Sequence, residues 1–241
     1  MQAWDKIPDT AKDADGAYYA DYTGIMSVGW NADKYGDISS LDDLLDPKFA
    51  GTVDINGKPA EAGAAFNGYL MANQLAGGDI NNLQPGLDYF KKLKEAGNLT
   101  TVDVTNGTID SGQTGVVFDW TYNQASYKKE LKDKGVNWKY KTFPKAQVVS
   151  YYNQAINKDA PHPAAARLWE EYLYTADAQN LWFKGGANPV LLDSMKEDGT
   201  VDQATLKDAI TIEGEPVSYT NDDSTRITEW LQNNWDKTIG N

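Results

Sequence analysis

The chain has 241 residues, of which 41% are hydrophobic and 24% are charged, and its formal net charge at pH 7 is −13. This composition is typical of a globular protein, and so acidic a surface disfavours nucleic acid and anionic lipid as partners. The chain contains no cysteine, which excludes disulfides and thiolate chemistry, and no apolar run approaches the roughly 20 residues that span a bilayer.

Residues 1–21 are polar and irregular, and the first regular elements follow them. The N-terminal half has β-branched runs flanked by glycine or proline, and helical apolar spacing between capping residues. These patterns predict strands at residues 22–31, 51–55, 102–104 and 115–119, and helices at about 39–46, 62–76, 83–96 and 120–134.

The C-terminal half begins with two further predicted strands, at residues 136–143 and 147–156. Beyond residue 157 the chain is nearly all helical, with predicted helices at about 163–173, 176–184 and 227–235. Because strands alternate with helices from residue 50 to 156, we expect an α/β fold with a largely parallel sheet. The last helix has a wide apolar face that requires a docking surface.

A cluster of polar and aromatic residues follows the predicted strand 115–119, where a helix begins. It consists of Asp119, Trp120, Tyr122 and Asn123. Open α/β sheets bind ligands at the carboxyl ends of their strands, and this combination could hold an amine by ion pairing and cation–π contact. In the alternative interpretation Asp119 caps the helix and Trp120 packs in a core. The local sequence favours neither.

Residues 60–64, which are all small except Glu61, connect a predicted strand to a helix, and Glu61 and Ala62 are predicted substrate-binding residues. They would let a ligand approach free backbone N–H groups, or they would allow close helix–sheet packing. Tyr22 and Tyr151 complete the predicted substrate-binding residues. Neighbouring side chains of a strand point to opposite faces, so Tyr151 and Tyr152 cannot both line one cleft.

No catalytic, metal or cofactor site is predicted. His162, the one histidine, lies between two prolines, which indicates a loop before a helix. Gly16 suggests a calcium loop, but Ala11 and Tyr22 would then occupy ligand positions that need carboxylates. We therefore predict a binding protein that is not an enzyme. The alternative is a carbohydrate-active enzyme or a sugar-binding protein, because the many acids and aromatics could serve either.

Several motifs occur in the order and spacing typical of family 1 extracellular solute-binding proteins. Residues 41–51 resemble the family's W-x-D-L-L-D-P-K-Y-K-G-K signature, with Leu41 in place of the tryptophan, and residues 156–166 resemble I-x-K-x-A-P-H-P-E-A-A. Further similarity lies at residues 15–31, which resemble the family's DG…GYN region, and at 179–190. The resemblance covers nearly the whole chain.

The resemblance implies a two-lobe fold of the type II periplasmic-binding-protein kind, whose α/β lobes close on a ligand like a hinged trap. It places part of the first lobe and the first crossing in 1–27, the second lobe in 28–146, and the second crossing with the helical remainder of the first lobe in 147–241. The first lobe is expected to be incomplete, because the N-terminal βα segment that normally follows a signal peptide is not recognisable.

The resemblance also implies a function. We expect a monomer outside the cytoplasm, in the periplasm or at the cell surface, with a lipid anchor through the missing N-terminus as one option. It would deliver a small polar solute to the membrane permease subunits of an ABC importer. Phosphate-binding relatives carry Ser/Thr-Gly-Thr where this chain has residues 60–64, and Glu61 would repel an anion. Iron-binding relatives place adjacent tyrosines beside a helix start, whereas Tyr151 and Tyr152 lie on a predicted crossing strand. The acids and aromatics indicate a cationic amine or polyamine.

Overall fold

The computed structural model describes residues 1–212 and 215–240. The chain divides into two compact units. The first unit comprises Met1–Gly24 and Ser150–Thr211, and the second comprises Ile25–Val149 and Ile212–Asn241. Helices and strands occur in both units, which confirms the predicted α/β class. The lobe bounds expected from the resemblance stay a prediction.

The described residues contain six β-strands and ten α-helices. The strands are β1 (Tyr19–Asn31), β2 (Val53–Ile55), β3 (Val116–Trp120), β4 (Trp138–Lys141), β5 (Val149–Gln154) and β6 (Asn188–Pro189). The helices are α1 (Ala32–Tyr35), α2 (Gly63–Leu75), α3 (Gln84–Glu95), α4 (Asn106–Asp110), α5 (Thr121–Glu130), α6 (Pro163–Leu173), α7 (Ala176–Lys184), α8 (Leu192–Glu197), α9 (Gln203–Asp208) and α10 (Asn221–Thr238).

The sheet of the second unit has the strand order β2-β3-β1-β4. β2 and β3 run parallel, but β1 is antiparallel to both β3 and β4. The expectation of a largely parallel sheet is therefore wrong. All five residues of β3 are buried, and a run buried on both faces has the same appearance in either orientation.

Two local predictions also differ from the structure. The predicted strand 102–104 is irregular, and its neighbour Leu99 forms only an isolated parallel bridge with Val53. Two alternating valines do not suffice for a strand when one of them, Val102, is 37% exposed. The predicted helix 39–46 is a 3₁₀ helix, Leu41–Leu45, which a capping box of Ser40 and Asp43 begins.

Helix α2 packs its buried residues against the sheet of the second unit. A side chain at Gly68 would lie within 3.3 to 3.4 Å of Ile55 and Phe118, so glycine permits this close approach. Helix α10 docks its apolar face in the same core. The Trp235 ring lies 5.2 Å from the ring of Phe90 and 6.0 Å from that of Tyr69. The docking surface that the last helix requires is thus provided by α2 and α3.

The first unit is mainly helical and has its own hydrophobic core. β6 pairs antiparallel with β1, with Tyr22 opposite Pro189. Helix α6 forms as its apolar spacing predicts, but among the described residues only its end is buried. Leu173 is 6% exposed, whereas Leu168 is 73% and Trp169 is 59% exposed.

Candidate functional site

Asp119 lies at the end of β3 and is completely buried. Its Oδ1 accepts hydrogen bonds from the Trp120 backbone N–H at 2.7 Å and from Asn123 Nδ2 at 2.9 Å. Its Oδ2 accepts from Asn56 Nδ2 at 2.8 Å and from the Tyr127 hydroxyl at 3.0 Å. The carboxylate therefore organises the start of α5 and the loop after β2.

All four of these donors are neutral. Burial raises the pKa of the Asp119 carboxyl, and the hydrogen bonds from Asn123, Trp120, Tyr127 and Asn56 oppose that rise. When Asp119 is ionised, these neutral donors stabilise the carboxylate but do not neutralise its negative charge. The surroundings of such a group favour a positive charge on a ligand.

The aromatic residues after Asp119 pack together. Trp120 is only 4% exposed, and its ring is stacked on that of half-buried Tyr122 with centroids 6.3 Å apart. Both belong to the core of the second unit or pack against it. In this unit the structure thus brings together Asp119, Trp120, Tyr122 and Asn123. Asp119 accepts hydrogen bonds at the start of α5 and Trp120 packs in the core, as the alternative interpretation expects, and a role in ligand binding stays a prediction.

Glu61 and Ala62 lie in the turn before α2. The Glu61 side chain is exposed, and Ala62 is the N-terminal cap of the helix. The backbone N–H groups of Glu61 and Ala62 both donate to the Lys58 carbonyl at 2.9 Å. These two N–H groups are already used within the turn, which weakens the case for anion binding by them.

An aromatic stack lies in the first unit. The Tyr22 ring lies between those of Tyr152 and Trp182, with centroid distances of 4.8 and 4.4 Å and interplanar angles of 14° and 25°. Tyr152 is 41% exposed, so the stack reaches the surface of its unit. Tyr151 packs against the hydrophobic core of the first unit, as Trp182 also does, and burial followed by repulsion from Asp193 raises the pKa of its hydroxyl.

Asp21, next to Tyr22 on β1, is completely buried. Its carboxylate accepts hydrogen bonds from Gln179 Nε2 at 2.9 Å and from Gln154 Nε2 at 3.2 Å. Burial raises the pKa of Asp21 to about 6, although these amide hydrogen bonds lower it. As at Asp119, a buried carboxylate with amide donors lies beside aromatic rings.

Several residues around Asp119, and around Asp21 and the aromatic stack, were not predicted as site residues from the sequence. They are Asp21, Asn56, Tyr127, Tyr152, Trp182 and Gln154. The alternation of β5 offered Tyr151 and Tyr152 as equal choices. Trp182 lies far along the chain from Tyr22, and no local pattern connects them.

The structure shows neither a metal site nor a membrane span in the described residues. No group of three or more histidine, cysteine or acidic side chains there could hold a metal ion. His162 is exposed before α6. No described helix combines the length and the apolar character needed to cross a membrane.

Comparison with known proteins identifies the chain's relatives. The family described as bacterial extracellular solute-binding protein matches residues 1–209. No curated protein has a sequence that matches this chain. Among solved structures, the periplasmic binding protein AfuA from Actinobacillus pleuropneumoniae, with exogenous fructose-6-phosphate bound, has a TM-score of 0.69 at 20% identity. That match covers 98% of this chain and 73% of AfuA.

Two further structures share the architecture. Apo ferric ion-binding protein A from Pasteurella haemolytica has a TM-score of 0.69 at 18% identity, covering 99% of this chain and 74% of that protein. A Listeria monocytogenes protein assigned to spermidine/putrescine ABC transport has a TM-score of 0.64 at 12% identity, covering 97% and 74%. The TM-scores show that these proteins share a type II periplasmic-binding-protein fold, as predicted. Because the sequence identities are low, they do not identify a ligand.

Proposed function

The chain belongs to the bacterial extracellular solute-binding proteins, and we propose that it captures a small solute with a positive charge, a cationic amine or polyamine. The family implies an extracytoplasmic location, a small-molecule ligand and the permease subunits of an ABC importer as partners. The family is solute-binding and not catalytic, and we propose that this chain likewise catalyses nothing. We further propose that it acts as a monomer and does not bind nucleic acid.

One observation carries the choice of a cation. Asp21 in the first unit and Asp119 in the second are buried carboxylates, and their hydrogen-bond donors within the described residues are all neutral. A buried anion without a basic partner is costly, and a cationic ligand nearby would reduce that cost. Each carboxylate also adjoins aromatic rings, whose faces attract ammonium groups.

The residues of this chain give less support to binding of iron or of a sugar phosphate, the solutes named for two of the similar structures. The N–H groups of Glu61 and Ala62 are used by the Lys58 carbonyl, and the Glu61 carboxylate repels a phosphate. Tyr151 packs against the core of the first unit and Tyr152 stacks on Tyr22, an arrangement that gives less support to a paired tyrosine ligand for iron. The spermidine/putrescine relative has the same fold and is compatible with the amine proposal.

Binding of a neutral sugar is the second candidate. The partly exposed Tyr152 at the end of the aromatic stack could pack against the apolar face of a sugar ring. Such a ligand would not need the negative charge of Asp21 or Asp119. Its affinity would therefore be the same whether or not those groups were ionised.

A thermal-shift panel separates these solutes. The protein is screened with polyamines, neutral sugars, sugar phosphates and ferric citrate, because a ligand at 100 times its dissociation constant stabilises the folded state by about 2.7 kcal/mol. A shift with polyamines alone supports the proposal. A shift with a sugar, a sugar phosphate or iron and none with polyamines contradicts it, and turnover of a glycoside would make the protein an enzyme.

A further inference from the structure

A cavity of about 360 Å³ lies in the second unit, beside the carboxyl end of β2. Its walls come from β2, the turn before α2, the segment 99–103, and Trp235 and Gly240. The charged side chains that line it are Asp54, Lys58, Glu61 and Asp103. With three carboxylates and one lysine among the described lining residues, the cavity has an excess of negative charge.

Asp54 differs from the other acids of the cavity because it is nearly inaccessible. It is 4% exposed, whereas the side chains of Glu61 and Asp103 are exposed. Its Oδ2 has no hydrogen-bond partner among the described residues. A buried carboxylate oxygen without a partner is uncommon and destabilising, so a ligand that donates a hydrogen bond to Asp54 would stabilise it.

Asp54 and Asp103 also influence each other. The pKa of Asp54 rises to about 7, mainly through burial and further through repulsion from Asp103. A cation held near both carboxylates would relieve that repulsion and supply the missing donor to Asp54. The ammonium group suits this position because it carries three donors and is compact.

The rest of the cavity wall indicates which chemical group is attached to the ammonium. Ile55, Leu99, Val102 and Trp235 offer apolar surface to a short methylene chain. Thr100 and Thr101 add hydroxyl groups. A bare metal ion fits less well, because it needs several oxygen ligands and the described residues contain no metal-ligating cluster of three.

We propose that this cavity binds the primary ammonium group of a small alkyl amine, with Asp54 and Asp103 as its acceptors. The site shares Glu61 and Ala62 with the residues predicted for solute capture, but it depends on neither Asp119 nor the aromatic stack. It therefore stands or falls separately from the proposed function.

The test uses the indole N–H resonance of Trp235 as a local reporter, since Trp235 lines the cavity. The resonance is assigned by its loss in a Trp235→Phe variant, and the full chain is then titrated with 1,4-diaminobutane. We expect saturable movement in the wild type, and an affinity lower by about tenfold or more in Asp54→Asn and in Asp103→Asn. Asp133→Asn, which removes an exposed charge elsewhere in the unit, should behave as the wild type.

Two probes of different chemistry complete the experiment. Tetramethylammonium is a cation without a hydrogen-bond donor and should move the resonance weakly, and calcium chloride should not move it saturably. Failure of the wild-type resonance to move, equal affinity in Asp54→Asn, or equal responses to all three cations would each overturn the proposal. Loss of binding in Asp119→Ala with an unchanged Trp235 response would concern the proposed function alone.

Discussion

Asn56 Nδ2 lies 2.8 Å from Asp119 Oδ2, and this hydrogen bond joins the loop after β2 to the end of β3. β2 and β3 are parallel neighbours, with Ile55 opposite Phe118, so both strands end at the same edge of the sheet. Through its other oxygen, Asp119 also holds Asn123 and the start of α5. One carboxylate therefore fixes two segments at this edge.

Asp119→Ala should weaken both folding and amine binding. The substitution leaves the donors of Asn56, Asn123 and Tyr127 unpaired, which should lower the free energy of unfolding by about 2–4 kcal/mol. The polyamine-induced rise in melting temperature should become smaller, because the charge beside Trp120 is removed, and any rise that remains should be lost when Asp54→Asn is added. The control is Asp133→Ala, which changes an exposed acid. An unchanged polyamine shift in Asp119→Ala would contradict the assigned role.

Tyr152→Ala should lower affinity for the solute more than Tyr151→Phe. Tyr152 stacks on Tyr22, whereas Tyr151 packs against the hydrophobic core of the first unit. Loss of the outer ring should lower the free energy of unfolding by about 0.5–1.5 kcal/mol and reduce affinity, measured by isothermal titration calorimetry. If Tyr151→Phe alone weakens binding, the sequence-based choice of Tyr151 is correct and the stack is not the binding surface.

Asp54→Asn should stabilise the protein at high pH and leave it unchanged at low pH. The carboxyl has a pKa of about 7 when folded and an ordinary value of 3.8, so its contribution favours folding below 3.8 and is lost as the pH rises through 7. At pH 8 the variant should gain on the order of 2–4 kcal/mol, since one pKa unit corresponds to about 1.4 kcal/mol. Urea denaturation at pH 4 and pH 8 measures the difference in free energy of unfolding between variant and wild type. The same difference at both pH values would refute the prediction.

Trp235→Ala should be strongly destabilising. The ring is 6% exposed and packs against Phe90 and Tyr69, so its removal leaves a cavity that costs about 3–5 kcal/mol. Trp169→Ala is the matched control, because that ring is 59% exposed on α6 and its loss should cost no more than about 0.5 kcal/mol. Equal losses in urea denaturation would mean that the α6 face is covered in solution.

Local sequence patterns correctly predicted helices whose apolar spacing and end signals lie within the helix itself or next to it. α2, α6 and α7 have apolar spacing and stop signals and formed near their predicted bounds, and α10 formed as predicted but begins earlier, at Asn221. The orientation of β1 relative to β3 could not be predicted, because 84 residues separate the end of one from the start of the other. Buried β-branched residues do not encode strand direction.

The candidate site residues also fall into those that a local sequence pattern suggests and those that only tertiary contacts reveal. Asp119 was predicted as a ligand-binding residue because it ends the predicted strand 115–119, where an acid is conspicuous, and its burial could not be predicted from that pattern. Asp21 has an equally buried carboxylate, but it lies within a stretch that is polar in sequence, and only tertiary contacts with Gln154 and Gln179 reveal its burial. Asp54 resembles an ordinary polar position of an alternating strand, and only the structure shows that it is buried and lines a cavity with the segment 99–103.

β1 contributes residues to both compact units, since Tyr19–Gly24 falls in the first and Ile25–Asn31 in the second. Its side chains alternate between faces along the whole strand, so deleting one residue would reverse every position beyond the deletion. A deletion near Gly24 would therefore misplace either Tyr22 and its stack or the pairing of Met26 with Trp120. Viable length variants among natural homologues should accordingly be confined to loops, and β1 should be invariant in length even where its residues differ.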